Sequence, residues 1–174
     1  MGTEQQSPAS RVERAFAAIA ASRMAGLPLN NPALHVEACG LQPWNRLWLG
    51  VLVVPWAISL MLLPAGNPGF RRLGADERQR WAFPSGDYDF LGGEEGGLGA
   101  YQLCSLFSPA FEFSCQEDAR HAAWAALDAL MRPAAGDAAA ARRERARLDG
   151  RSLHDAPQSR RTFLGGLLPR GEKT

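Results

Sequence analysis

The chain has 174 residues, enough for one ordinary domain with some chain left over. Apolar residues make up 46% and charged residues 21%, which supports a sizeable buried core and excludes a chain disordered throughout. Net charge is +1, but residues 1–132 carry 10 basic and 13 acidic side chains, whereas residues 133–174 carry 9 and 5. An acidic body with a basic tail argues against a nucleic-acid-binding core, which needs a basic face. The three cysteines, Cys39, Cys104 and Cys115, stand in no paired spacing, which fits a reducing compartment. The first ten residues are polar, so no signal peptide is visible and a cytoplasmic location is expected.

In chain order, Ser10 with Glu13 forms a capping box that predicts a helix from Ser10 to Leu27. Val12, Phe16 and Ile19 share its apolar face, and Gly26 and Pro28 stop it. Residues 34–40 alternate loosely and read as a strand. Residues 47–64 carry no charge, which meets the lower limit for a membrane helix. Pro55 near their centre would break that helix, and Val51, Val53 and Val54 are β-branched. Two buried strands, 47–53 and 57–63, are the preferred reading, with a membrane span as the rival. Residues 78–83 and 86–91 read as short strands, and residues 92–97 as a flexible acidic loop. Residues 100–107 make a strong strand with Tyr101, Leu103, Ser105 and Phe107 on one face and Cys104 and Leu106 on the other. A second capping box, Ser114 with Glu117, opens a helix that runs to about Arg132, where Pro133 and Gly136 end it. The expected architecture is α+β: an antiparallel sheet packed against two main helices. A globular domain over residues 1–134 precedes a basic, partly helical or flexible tail over residues 135–174.

Metal and cofactor chemistry is not expected. His35, His121 and His154 stand at no ligand spacing, and the glycine-rich stretch carries Glu94 and Glu95, which repel phosphate. The strongest catalytic candidate is a thiol enzyme with Cys104 as nucleophile and His121 as base. A strand cysteine, however, is usually a small hydrophobe.

Three runs carry a family resemblance. They are Asn31-Pro32-Ala33-Leu34-His35-Val36-Glu37-Ala38; residues 48–56 (WLGVLVVPW) continuing to Pro64; and residues 101–109 (YQLCSLFSP) followed by Glu112, Phe113 and Gln116. Together they resemble the HybE/HupJ family of [NiFe]-hydrogenase accessory proteins over roughly residues 10–131. The resemblance implies a chaperone, not an enzyme. It would bind the large-subunit or small-subunit precursor, and with it the twin-arginine signal peptide, and delay export until assembly is complete. No nucleic acid and no stable membrane insertion are implied. Aromatic and proline side chains of these runs, with Trp44 and the acidic Glu112, are candidates for an exposed partner groove: Trp44, Trp48, Pro55, Trp56, Tyr101, Phe107, Pro109, Glu112 and Phe113.

Ser159-Arg160-Arg161-Thr162-Phe163-Leu164 matches the twin-arginine export motif, yet it lies near the C-terminal end with only a short apolar stretch after it. It cannot direct export from there. As a pseudo-signal it would compete for the partner groove, with Asp87, Asp89, Glu94 and Glu95 receiving Arg160 and Arg161.

Overall fold

The computed structural model describes residues 6–134. The expected tail, including Ser159, Arg160, Arg161, Phe163 and Leu164, lies outside the described residues.

Helix α1 (Pro8–Ala21) starts two residues earlier than its capping box predicts. Ser7 is the cap, its Oγ accepting from the Ser10 amide at 3.2 Å, with Pro8 in the first turn where its missing N–H costs nothing. Glu13 is then released for a tertiary role and accepts from the Ala38 amide at 3.1 Å. The helix ends at Ala21, six residues early. Ser22 turns its hydroxyl back onto the Ala18 carbonyl at 2.6 Å, and the chain leaves through successive turns to Gly26 at φ +72°.

Six strands follow: β1 (Glu37–Trp44), β2 (Leu47–Val54), β3 (Ala57–Pro64), β4 (Arg78–Phe83), β5 (Gly86–Glu95) and β6 (Gly99–Phe107). They form one antiparallel sheet in the order β1-β2-β3-β6-β5-β4. Helix α2 (Gln116–Met131) closes the described chain. The α+β architecture expected from the sequence is therefore present. The two helices lie on opposite faces of the sheet, so strands β2 and β3 are buried on both sides. Leu49, Val51, Val53, Ile58, Leu60 and Leu62 pack beneath α2, while Leu52, Val54, Ala57, Met61 and Leu63 pack beneath α1. That double burial is why residues 47–64 carry no charge. They form the β2–β3 hairpin, and no helix among the described residues is long and apolar enough to cross a membrane.

Three expectations need correction. Strand β1 begins three residues later than residue 34, because Asn31 to His35 are held in a connection to other elements, and it runs on through a bulge. The register slips between Cys39 and Gln42, with Gly40 at φ +59°. A Cβ at Gly40 would lie 2.5 Å from Leu127 and 2.9 Å from Trp124, so α2 packs on bare backbone there. Residues 92–95 are strand rather than flexible loop. At Gly92 and Gly93 the absent side chains let Leu73 and the Tyr101 ring lie directly on the chain, each 2.4 Å from where a Cβ would stand. Strand β6 also breaks its alternation. A bulge opposite Ile58 and Ser59 turns both Leu106 and Phe107 into the core beneath α2.

The expected Ser114–Glu117 box at the start of α2 does not form. Cys115 is the cap and supplies no side-chain bond, while Ser114 reaches Asp118 at 3.2 Å. Glu117 and Asp118 still oppose the positive end of the helix dipole. The first turns are tied to β1 instead. Arg120 donates to Glu37 at 2.7 and 3.0 Å, and Gln116 donates to Glu37 at 2.7 Å while accepting from the His35 amide.

The Arg120 hydrogen bonds, with help from Gln116 and against the cost of burial, hold the Glu37 carboxyl below the usual carboxylate range. A depressed folded-state pKa gives stability that is present above the unfolded value of about 4.3 and lost as pH falls through the folded value. Wild type and Glu37→Gln should therefore differ most in urea midpoint near neutrality and converge as pH is lowered toward 3. A difference that stays constant with pH would show that the charge of Glu37 contributes nothing.

Candidate partner-binding surface

Helix α1 packs mainly over β1 and β2, with Phe16 reaching β6 on that same face, at Tyr101. A groove of about 260 Å³ results, lined by Phe16, Trp56, Leu91, Tyr101, Leu103 and Ser108, with Ser59 and Ser105 in its floor. Trp56 projects from the β2–β3 turn at one end. Tyr101 stands toward the other, edge-on to Phe16 at 5.4 Å between ring centres and seated over Gly93. Leu91 and Leu103 are directly paired across β5 and β6, and Leu91 is 40% exposed. Ser59 and Ser105 are paired across β3 and β6, which puts two hydroxyls beneath an apolar rim. Burial first, and the nearby Glu95 carboxylate second, push the Tyr101 phenol above its ordinary pKa, so it stays a neutral donor at physiological pH. The volume is below the ~300–1,000 Å³ typical of small-molecule and cofactor sites. It suits one or two large apolar side chains of an extended segment.

Next to the groove, residues 108–113 form an exposed shelf. The Ser108–Pro109 peptide is cis, Pro109 and Glu112 are exposed, and Phe111 is 55% exposed. The shelf is fixed by one buried side chain. The Asn31 amide nitrogen donates to both the Ala110 and Phe113 carbonyls at 2.8 Å, and its oxygen accepts from the Ala33 amide at 2.9 Å. The Asn31 backbone N–H donates to the Pro55 carbonyl at 2.7 Å, so the same residue also ties the turn that carries Trp56. Gln102 plays a similar part inside the sheet. It accepts from Trp81 Nε1 at 2.7 Å and donates to the Arg71 carbonyl at 2.9 Å and to Gln79 at 2.8 Å.

The nine candidate aromatic, proline and acidic residues thus divide. Trp56 and Tyr101 meet at the groove, with Pro109 and Glu112 on the shelf beside it. Pro55 acts through its carbonyl, and Trp48 is part-buried beside α1. Trp44 stacks on Phe83 at 4.4 Å, while Phe107 and Phe113 meet edge-to-face at 5.0 Å inside the core rather than in an exposed groove. Leu91, Leu103 and Phe111 were not singled out from sequence. The first two become partners only through the β5–β6 register, which no local pattern encodes.

The proposed acidic receptor is also altered by the fold. Asp89 is paired with Arg80 at 2.8 Å, Glu94 with Arg72, and Glu95 with Arg23. A guanidinium from elsewhere would compete with these arginines at Asp89, Glu94 and Glu95, while Asp87 lies part-exposed at the start of β5.

Cys104 is 2% exposed inside the core, whereas His121 sits on the surface of α2 beside Glu117. Burial, with the neighbouring Glu37 carboxylate, raises the Cys39 thiol to about 12. Reactivity follows the thiolate. One equivalent of thiol, Cys115, should react rapidly with an aromatic disulfide reagent in the native state, and three after unfolding. Fast native labelling of Cys104 would reopen the thiol-enzyme reading. Among the described residues no group of three or more metal-ligating side chains comes together.

The sequence profile of the family described as "[NiFe]-hydrogenase assembly, chaperone, HybE" matches residues 7–166. The chain is 41% identical to the hydrogenase expression/formation protein HupJ of Bradyrhizobium diazoefficiens, over 83% of this chain and 79% of that one. It is 36% identical to protein HoxT of Cupriavidus necator, over 68% of this chain and 73% of that one. Its fold matches the solution structure of HybE from Escherichia coli with a TM-score of 0.56, at 22% identity, over 91% of this chain and 88% of the other.

Proposed function

The chain belongs to the HybE family of [NiFe]-hydrogenase assembly chaperones, and from that membership we propose that it binds a hydrogenase subunit precursor through the groove between Trp56 and Tyr101. Its role is in [NiFe]-hydrogenase assembly. Acting in the cytoplasm and without turnover of its own, it holds a large-subunit or small-subunit precursor, including the twin-arginine signal segment, and so delays export until assembly is complete. The observation that supports this reading is the groove itself. An apolar rim over two serine hydroxyls accepts large side chains from an extended chain while its backbone bonds to Ser59 and Ser105. A rigid shelf at one end limits the direction in which that chain can run.

Leu103→Asp places a charge on the groove wall and should weaken precursor binding at least tenfold, since an unpaired carboxylate facing an apolar ligand costs more than ~1.4 kcal/mol. Trp56→Ala should weaken it comparably, and His121→Ala, on the opposite face, should leave it unchanged. Titration of both purified precursors against folded variants measures this. Unchanged affinity in both groove variants would remove the groove as the partner site. Cys104→Ser should retain full binding.

A further inference from the structure

The groove has an occupant available within the same chain. Residues 135–158 contain only two large apolar side chains, Leu148 and Leu153, whereas residues 163–168 bring Phe163, Leu164, Leu167 and Leu168 together, directly after Arg160 and Arg161. The groove shows the complementary order. Glu95, at the end of the β5–β6 hairpin, acts on the Tyr101 phenol, and the apolar wall of Tyr101, Leu103 and Leu91 continues from there along β6 toward Trp56. We propose that the C-terminal segment 159–168 docks in this groove, Arg160 replacing Arg23 on Glu95 and Phe163 with Leu164 filling the apolar slot, so that the chaperone is self-occluded until a precursor displaces its own tail. This rests on the reading of the groove as the partner site and adds its regulation.

The spacing agrees. Glu95 pairs with Gly99, and Leu103 lies four residues further along β6, ~13 Å at the strand rise. Leu164 likewise lies four residues beyond Arg160, the same ~13 Å in an extended chain. The tether also reaches. The described chain ends at Ala134, whose amide donates to the Pro84 carbonyl at the β4–β5 turn. From there to residue 159 a chain spans on the order of 25–30 Å without being stretched. The span required runs along β5 from Gly86 to Glu95, nine residues or ~30 Å, which the tether matches. A tethered segment acts at an effective concentration on the order of millimolar, so even weak intrinsic affinity keeps the groove largely filled. The guanidinium exchange on Glu95 is close to neutral, because Arg23 is already there, and the apolar side chains therefore decide the balance.

The test uses the purified full-length chain with no hydrogenase present, so its outcome does not depend on the partner reading. A photo-crosslinking benzoylphenylalanine in place of Trp56 should capture a peptide from residues 159–168 within one chain. Capture of that peptide from a second copy, seen as a covalent dimer, or capture of no tail peptide would overturn the proposal. In the full chain, Phe163→Asp with Leu164→Asp should raise the fluorescence of an added apolar dye severalfold by uncovering the groove. No change in dye fluorescence would equally overturn tail docking, while Leu103→Asp would still report separately on precursor binding.

Discussion

Asn31→Ala should be among the most damaging single substitutions in the chain, lowering stability by about 2–4 kcal/mol. Asn31 is 6% exposed, and removing its amide strands the Ala110 and Phe113 carbonyls without their donor. Each buried group left unsatisfied costs ~1–3 kcal/mol. Asn31→Asp is the sharper variant. It keeps the size and the acceptor for the Ala33 amide but turns a carboxylate oxygen toward two carbonyls, so it should be at least as destabilising. Phe111→Ala, on the same shelf but 55% exposed, should cost under ~0.5 kcal/mol. Denaturant midpoints of the three variants test this. Comparable loss in all three would mean that the shelf depends on Phe111 packing and not on the Asn31 bonds. Because Asn31 also holds the turn carrying Trp56, its loss should loosen the groove as well as the core.

Gln102→Leu should cost a similar amount by a different route. Gln102 is fully buried between the Trp81 indole N–H, the Arg71 carbonyl and the Gln79 amide oxygen. Leucine fits the volume but supplies neither donor nor acceptor, leaving a buried indole N–H and a carbonyl unpaired, for about 2–4 kcal/mol in all. Gln102→Glu keeps the acceptor for Trp81 and isolates the defect on the donor side. Its penalty should exceed that of leucine at neutral pH, where a buried carboxylate faces two oxygens, and ease as pH falls and the acid becomes a donor. Urea unfolding at pH 7 and pH 4.5 makes the comparison. A leucine variant as stable as wild type would show that the network is dispensable.

Both residues lie in runs that carry family resemblance, yet nothing in their local sequence shows what they do. An asparagine before a proline reads as a turn, and a glutamine in an apolar strand reads as an outward-facing position. Asn31 became a clamp only because the chain returned 79 and 82 residues later to place two carbonyls beside it.

What the sequence determined by itself is the set of elements. The apolar spacing of α1 and α2, the uncharged β2–β3 run broken at Pro55, and the apolar run of β6 are local patterns, and each produces its element in the structure, although neither expected capping box closes its helix. The runs that carry the family resemblance also placed Trp56 and Tyr101 among the candidate partner residues. Tertiary structure decided everything that depends on which strand lies beside which. The bulges in β1 and β6, the continuation of β5 through Gly92 and Gly93 under the Tyr101 ring, and the division of the sheet into two faces follow from register and helix docking. Burial of Phe107 and Phe113, stacking of Trp44 on Phe83, exposure of Leu91, and pairing of Glu94 with Arg72 and of Glu95 with Arg23 follow from the same source. The physical reason is common to all of them. Secondary structure is selected by contacts within a few residues, which a sequence displays directly. A groove is a surface left uncovered when elements far apart in the chain have chosen their partners, and only the assembled sheet shows where that surface falls.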